Sequence, residues 1–103
     1  MKVLVDYQGK NVRLTDERLA HILEHPEMSS LEQAIEDTLR EPQLVIRSST
    51  DESANLNYRY FYGTKVGDKW LCIVVKYALE DAFLLTAYLT DKPKKGVQLW
   101  PSR

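Results

Sequence analysis

The chain has 103 residues, 44% of them hydrophobic, with 14 Lys and Arg residues against 15 Asp and Glu residues. That length provides for one core and is too short for two, so we expect a single domain over residues 1–103. The net charge of −1 excludes a generally basic nucleic-acid binder, and any anion site must be a local patch. Acidic residues cluster early, whereas the chain after Asn55 is net basic, so the C-terminal half is the part expected to attract anions.

The N-terminal third predicts a small hairpin followed by a helix. Lys2–Val5 and Asn11–Leu14 flank a turn at residues 7–10, which is the pattern of two short paired strands. Thr15 is an N-cap residue followed by two acidic residues, and Pro26 ends the helix that it starts. Beside the apolar stripe of this helix runs a second stripe, spaced three and four residues apart: Arg18, His21 and His25.

The second helix is expected to begin at Ser29 or Ser30 and to stop at Pro42, because its apolar residues recur with a 3.6-residue period. Residues 43–49 then predict the first strand of the main sheet, and residues 48–57 a polar loop. Three further strands are predicted at residues 58–63, 70–77 and 83–90. A turn at residues 91–96 and a short strand or covering segment at Val97–Trp100 complete the prediction. We therefore expect an α+β fold, with two N-terminal helices packed on an antiparallel sheet of four or slightly more strands.

The first hairpin of the main sheet determines which face carries Arg59. Residues 66–69 contain a glycine and separate two runs rich in aromatic and β-branched residues. With Val66 opposite Lys69, Arg59 lies opposite Lys76 and shares its face. The other, more apolar face is expected to lie beneath the helices. This apolar face also carries Tyr58, Tyr60 and Tyr62. Their side chains would then be buried in the core, which argues against stacking on nucleic acid.

The second hairpin completes a polar face. With Ala78 opposite Ala82, Cys72 lies opposite Tyr88. Because alternate side chains of a strand point to opposite sides, one face then carries two cations, a hydroxyl and a phenol: Arg59, Lys76, Thr86 and Tyr88. Adjacent cations are unfavourable unless they share an anion or pair with a carboxylate. An anion site is the favoured interpretation, and pairing with Asp51, Glu52 or Glu80 is the alternative.

Five sequence segments resemble the phage-associated branch of the barnase, EndoU, colicin and RelE-like nuclease superfamily. They lie between Val12 and Trp100 and read TDERLAHILEHPEM, LEQAIEDTLREPQLVIRS, YRYFYG, WLCIVVKY and LLTAYLT. The resemblance implies two helices before a four-stranded antiparallel sheet and cleavage of RNA without metal or cofactor. It also implies a toxin or phage effector with RNA as substrate and a cognate antitoxin or immunity protein as partner. The active groups would be His21, Arg59, Lys76 and Thr86, together with Tyr88.

The chemistry of these residues suits metal-free RNA cleavage, which needs a base, an acid and cations to hold the charge of the phosphorane. Arg59 can grip a phosphate in bidentate fashion and Lys76 can add a point charge. Thr86 or Tyr88 can donate a hydrogen bond to a phosphate oxygen, and His21 is the candidate acid or base. No carboxylate is expected on the polar face. The residues therefore fit a RelE-like arrangement better than a barnase-like one with a glutamate base.

Each candidate also has an ordinary structural interpretation. His21 can act only if the first helix turns its polar stripe toward an edge of the polar face; otherwise it is a surface residue. Lys92, Lys94 and Lys95 can track a phosphate backbone or form a solvated turn. The sequence thus predicts a metal-independent endoribonuclease. The alternative is a non-catalytic RNA- or protein-binding module on the same scaffold.

Location and cysteine chemistry follow from two further features. The single cysteine, Cys72, lies in an apolar run, so no intrachain disulfide can form, and a small buried hydrophobe is its favoured role. The first residues lack the pattern of a signal peptide, and no segment approaches the length that spans a membrane. We expect a cytoplasmic protein with no membrane partner.

Overall fold

The structure is a computed structural model that describes residues 1–102. Strands β1 (Lys2–Val5) and β2 (Asn11–Leu14) precede helices α1 (Asp16–Leu23) and α2 (Glu32–Arg40), which are joined through a short 3₁₀ turn at Pro26–Met28. Five strands follow: β3 (Leu44–Arg47), β4 (Ala54–Thr64), β5 (Gly67–Ala78), β6 (Asp81–Thr90) and β7 (Val97–Trp100).

All seven strands form one sheet, in the order β1-β2-β6-β5-β4-β3-β7. Neighbouring strands are antiparallel except β2 and β6, which pair in parallel where Arg13 lies opposite Phe83. The predicted α+β class is confirmed, and so is the N-terminal hairpin. The sheet exceeds four strands because that hairpin joins one edge and β7 joins the other. No helix within residues 1–102 has the length and apolar character needed to cross a membrane.

The helix boundaries follow from their caps. The Thr15 side chain accepts a hydrogen bond of 3.1 Å from the backbone N–H of Arg18, which is the predicted N-cap of α1. Helix α2 starts at Glu32, later than the predicted start at Ser29 or Ser30, and its N-cap Leu31 makes no capping bond. The reason is local, because the Ser29 hydroxyl instead donates to the Pro26 carbonyl at 3.0 Å and closes the 3₁₀ turn.

The main core lies between both helices and one face of the sheet, which we call the helix-covered face. It is built from β-strand residues and helix residues that are all nearly inaccessible to solvent, among them Val12, Ile22, Ile35, Leu39, Leu71, Ile73 and Val75. The opposite side, which we call the helix-free face, has a smaller cluster around Tyr58 and Cys72. The sheet therefore has one face specialised for stability and one that no helix covers.

The β4–β5 hairpin differs from the prediction, and the difference places the β4 side chains on the opposite face of the sheet from the one expected. The turn is tighter and earlier, with Thr64 opposite Gly67, and a register irregularity follows between Phe61 and Thr64. The earlier turn alone would shift the pairing by an even number of residues and keep each side chain on its face. The irregularity adds one more residue, so Arg59 lies opposite Leu71 instead of Lys76. Arg59 is therefore on the helix-covered face, and the predicted pairing is wrong.

The β5–β6 hairpin agrees with the prediction over most of its length. Thr86 lies opposite Val74 and Tyr88 opposite Cys72, as expected. A bulge between Val74 and Val75 then moves the pairing by one residue, so that Ala78 meets Asp81 instead of Ala82.

Because of the bulge, Lys76 lies opposite Phe83. Phe83 was expected on the helix-covered face, and it lies instead on the helix-free face with Lys76. The bulge leaves Thr86 opposite Val74 and Tyr88 opposite Cys72, and Lys76 points to the same side of β5 as Val74 and Cys72. The three predicted residues Lys76, Thr86 and Tyr88 therefore stay together on the helix-free face.

The sheet curls until its two edges approach each other. The ring of Tyr7, in the β1–β2 turn, lies 6.0 Å from the ring of Trp100 in β7. Strongly twisted sheets of many strands tend to curl in this way. The curl leaves an open end, where strand ends and turns surround a cavity.

Candidate nucleic-acid interface

A C-terminal segment crosses the helix-free face before β7. The backbone N–H of Lys94 donates a 3.0 Å hydrogen bond to the Tyr58 hydroxyl. Gly96 packs so closely on β3 that a Cβ atom there would lie 2.6 Å from the carbonyl oxygen of Arg47 and 2.6 Å from Cγ2 of Ile46. A glycine is therefore needed for this approach. We call residues 91–96 the crossing segment.

Four aromatic rings form a row on the helix-free face. Tyr58, Trp70, Tyr60 and Tyr62 contact one another edge to face, with ring centroids 6.4, 5.2 and 5.1 Å apart in that order. The inner ring, Tyr58, is completely buried, whereas Tyr62 at the outer end is 80% exposed. The prediction that these tyrosines lie beneath the helices is wrong, because the β4 register places them on the other face.

Three lysines belong to the crossing segment, which meets the aromatic row where the Lys94 N–H bonds to Tyr58. Lys92, Lys94 and Lys95 are exposed, and within residues 1–102 their side chains form no hydrogen bond or ion pair. The segment is anchored at its start, where Asp91 pairs with Lys69. The helix-free face therefore combines exposed aromatic surface with unneutralised positive charge.

Arg59 has a structural partner on the other side of the sheet. Its Nη1 atom donates a 2.6 Å hydrogen bond to the carbonyl oxygen of Glu41, the residue that ends α2. Cations commonly satisfy the free carbonyls at a helix C-terminus. The predicted pairing of Arg59 with Lys76 as an anion site is therefore not formed.

Lys76 lies on the helix-free face and is paired with Asp51 from the β3–β4 loop. This is the alternative partner that the sequence left open, and it brings a carboxylate to a face where none was expected. The hydrogen bond from Lys76 and those from the hydroxyl and N–H of Ser53, at 2.6 and 3.0 Å, lower the pKa of Asp51 to about 2. Asp51 is thus an ionised counterion at physiological pH and a weak base.

Thr86 and Tyr88 lie on the same face as Lys76. Thr86 is exposed, and Tyr88 is half-buried opposite Cys72. Burial raises the pKa of the Tyr88 phenol and that of the Cys72 thiol, so both groups remain protonated and neutral at physiological pH. Cys72 is the small buried hydrophobe that its sequence context predicted. Tyr88 can donate a hydrogen bond but does not supply a phenolate.

His21 lies away from these three residues. Helix α1 packs on the helix-covered face through Leu19 and Ile22, and the His21 side chain is 69% exposed on its outer side, 3.8 Å from Glu24. The sheet therefore separates His21 from Lys76. Of the five residues predicted to form one site, three share a face, Arg59 lies on the helix-covered face, and His21 lies on the outer surface of a helix.

Sequence reasoning rejected the aromatic row, and it left Asp51 as only one of three alternative partners for Lys76. The alternation of tyrosines at positions 58, 60 and 62 was visible, but their face depended on one irregularity in the hairpin. The Asp51 contact depends on how a loop folds back on β5, which no local pattern encodes. No group of three or more His, Cys, Asp or Glu side chains within residues 1–102 is arranged to hold a metal ion.

No match to the chain was found among protein-family models, curated proteins or solved structures. The likeness to RNA-cleaving nucleases therefore remains a hypothesis drawn from the sequence, and the function has to be argued from the surface itself.

Proposed function

We propose that the protein binds single-stranded RNA across the helix-free face of its sheet. The observation that carries the proposal is the row of aromatic rings that runs from the buried Tyr58 to the exposed Tyr62, together with three exposed lysines on the segment that bonds to Tyr58. Aromatic side chains on an open sheet face stack with unpaired bases, and lysines neutralise the phosphates between them. RNA is the preferred polymer because the sequence resembles RNA-acting proteins.

The arrangement supports binding through local chemistry despite a net charge of −1 for the chain. Stacking of a base on an aromatic side chain contributes about 1–3 kcal/mol and tolerates any base, since every base has a π-face. The lysines of the crossing segment add a salt-dependent term through counterion release. Binding is therefore expected to be weakly sequence-specific and to weaken as salt is raised.

The test is fluorescence anisotropy of a labelled single-stranded RNA oligomer with Tyr62→Ala, which removes an exposed ring and leaves the core intact. We expect the dissociation constant to rise by about 5- to 150-fold, the equivalent of one lost stacking contact. His21→Ala is the matched control, because that side chain is also well exposed but lies on the outer surface of α1. Equal affinities of Tyr62→Ala and wild type would overturn the proposal, and a matched DNA oligomer measures the preference for RNA.

Metal-independent cleavage of the bound RNA is the second candidate function. It is favoured by one observation, that Lys76, Thr86 and Tyr88 all lie on the helix-free face. Once a phosphate displaces Asp51 from Lys76, this cation and the two hydroxyls can stabilise charge on a phosphorane, which typically contributes about 10²- to 10³-fold per donor. In this version the histidine takes no part: water accepts the proton of the 2′-hydroxyl, and the protonated Tyr88 phenol donates a proton to the leaving 5′-oxygen.

Incubation of RNA with the purified protein in EDTA tests the second candidate. Cleavage that falls about 100-fold in Lys76→Ala and is unchanged in His21→Ala would establish it. The absence of cleavage in wild type would overturn this candidate. An acidic protein partner, such as an antitoxin, would use the same lysines, and displacement of RNA by a purified acidic protein would reveal it.

A further inference from the structure

A wide-open cavity of about 680 Å³ lies at the open end of the curled sheet. The β1–β2 turn, the β5–β6 turn and the strand ends near Arg47 and Asn55 surround it, and none of its lining residues belongs to a helix. Its volume is within the range of small-molecule sites, about 300–1,000 Å³. The cavity is distinct from the aromatic row, which lies on the helix-free face.

The wall of this cavity is held in place by a buried carboxylate. Asp6 is only 2% exposed and accepts three hydrogen bonds: from the N–H groups of Gln8 and Lys10 at 2.9 and 2.8 Å, and from the Tyr77 hydroxyl at 2.6 Å. These bonds fix the β1–β2 turn and the Tyr77 ring together. Burial, followed by the proximity of Asp6, raises the pKa of Tyr77, so the ring stays neutral. The wall is thus preorganised before any ligand arrives.

The lining is rich in groups that recognise planar heterocycles. Gln8, Asn11, Asn55, Tyr7 and Tyr77 line the cavity, and the Lys10 ammonium lies over the Tyr77 ring, 5.7 Å from its centroid. Asn and Gln amides pair with the donor and acceptor edges of bases, in particular adenine. Tyrosine rings offer stacking surface for an unpaired base.

Charge on the lining argues for a neutral ligand. Two cations line the cavity, Lys10 and Arg47, and two acids, Glu52 and Glu80, balance them in number. The remaining acid, Asp81, is paired with Arg13 through hydrogen bonds of 2.9 and 2.7 Å. With no net positive charge, the cavity does not favour a phosphate group. A base or nucleoside carries the same hydrogen-bonding edges without that charge.

We propose that this cavity binds the neutral nucleobase of a nucleoside, with its ring against Tyr7 or Tyr77 and its polar edge on the amides. The ligand can be a free nucleoside or a base that is extruded from an RNA strand whose phosphates remain outside. The inference is independent of RNA binding on the helix-free face. Each can fail without the other.

The experiment is isothermal titration calorimetry of the intact protein with adenosine, guanosine, cytidine and uridine, with ribose as a control ligand. At least one nucleoside is expected to bind, and ribose is not. Asn55→Ala should weaken that binding about tenfold or more, as the loss of a paired amide does. Ala82→Leu, which adds side-chain atoms to the cavity wall, should have the same effect.

Matched variants separate this site from the aromatic row. Tyr62→Ala should leave nucleoside binding unchanged while it weakens binding of the RNA oligomer. If Asn55→Ala or Ala82→Leu fails to fold by circular dichroism, Gln8→Ala in the exposed turn replaces it. Binding of an oligomer that depends on Asn55, without binding of free nucleosides, identifies an extruded RNA base as the ligand. The proposal is overturned if no nucleoside binds and the affinity for the oligomer is unchanged by Asn55→Ala, Ala82→Leu and Gln8→Ala.

Discussion

The two faces of the sheet are built from the same strands but use their buried residues differently. The helix-covered face buries aliphatic side chains such as Ile73 and Val75 against two helices. The helix-free face buries only a small cluster around Tyr58 and leaves aromatic and cationic groups at its surface. Because neighbouring residues on a strand alternate between these faces, one strand can serve stability and recognition at once. The comparison predicts that substitutions on the two faces separate into those that change stability and those that change binding.

The largest effect is expected from a truncation on the helix-covered face. Ile73→Ala removes a completely buried side chain from the core between helices and sheet and should lower the free energy of unfolding by about 2–5 kcal/mol. Urea denaturation measures this change. RNA affinity measured on folded protein should stay unchanged, and a loss of affinity as large as that of Tyr62→Ala would show that the two faces are not independent.

A smaller effect is expected where the crossing segment meets β3. Gly96→Ala places a Cβ atom 2.6 Å from the Arg47 carbonyl oxygen, and we expect a cost of about 1–3 kcal/mol as the segment moves away. The N–H of Lys94 would then lose its bond to Tyr58 and its protection from hydrogen exchange. Lys95→Ala is the control, since it removes a lysine without a steric clash. Continued protection of the Lys94 N–H in Gly96→Ala would contradict this account of the segment.

The smallest effect is a pH dependence from the half-exposed pair of Asp51 and Lys76. The pKa of Asp51 is about 2 in the folded protein against an ordinary value of 3.8. Its contribution to stability is therefore fully present above 3.8 and is lost as the pH falls through about 2. The difference in melting temperature between wild type and Asp51→Asn should shrink from about pH 5 to about pH 2. Glu52→Gln, at an exposed neighbouring position, should show no such trend.

Local patterns predicted the elements well because they depend on short-range physics. The Thr15 cap, the stop at Pro26 and the apolar period of α2 each act within a few residues, so the helices were found with small errors at their ends. The strands of both long hairpins were also found, although β4 begins at Ala54, inside the segment expected to be a polar loop.

The candidate site was predicted less well because it depends on register. A single irregularity beyond Phe61 exchanged Arg59 for the tyrosines on the helix-free face, whereas the register of Cys72 with Tyr88 was correct and kept Tyr88 and Thr86 beside Lys76. The alternation along β4 makes the set with Leu56, Tyr58 and Tyr60 the more apolar one, but it carries no information on where the hairpin is irregular or which face the helices cover.

By itself the sequence determined the fold class, the order of the elements, a buried Cys72 and a polar surface that includes Lys76 and Thr86. These features follow from composition, capping and periodicity, which act locally. Only the tertiary structure decided that the tyrosine row faces outward, that Asp51 neutralises Lys76 and that His21 lies away from both. The physical reason is that each of these outcomes depends on contacts between distant segments, and a shift of one residue in a hairpin is enough to change them.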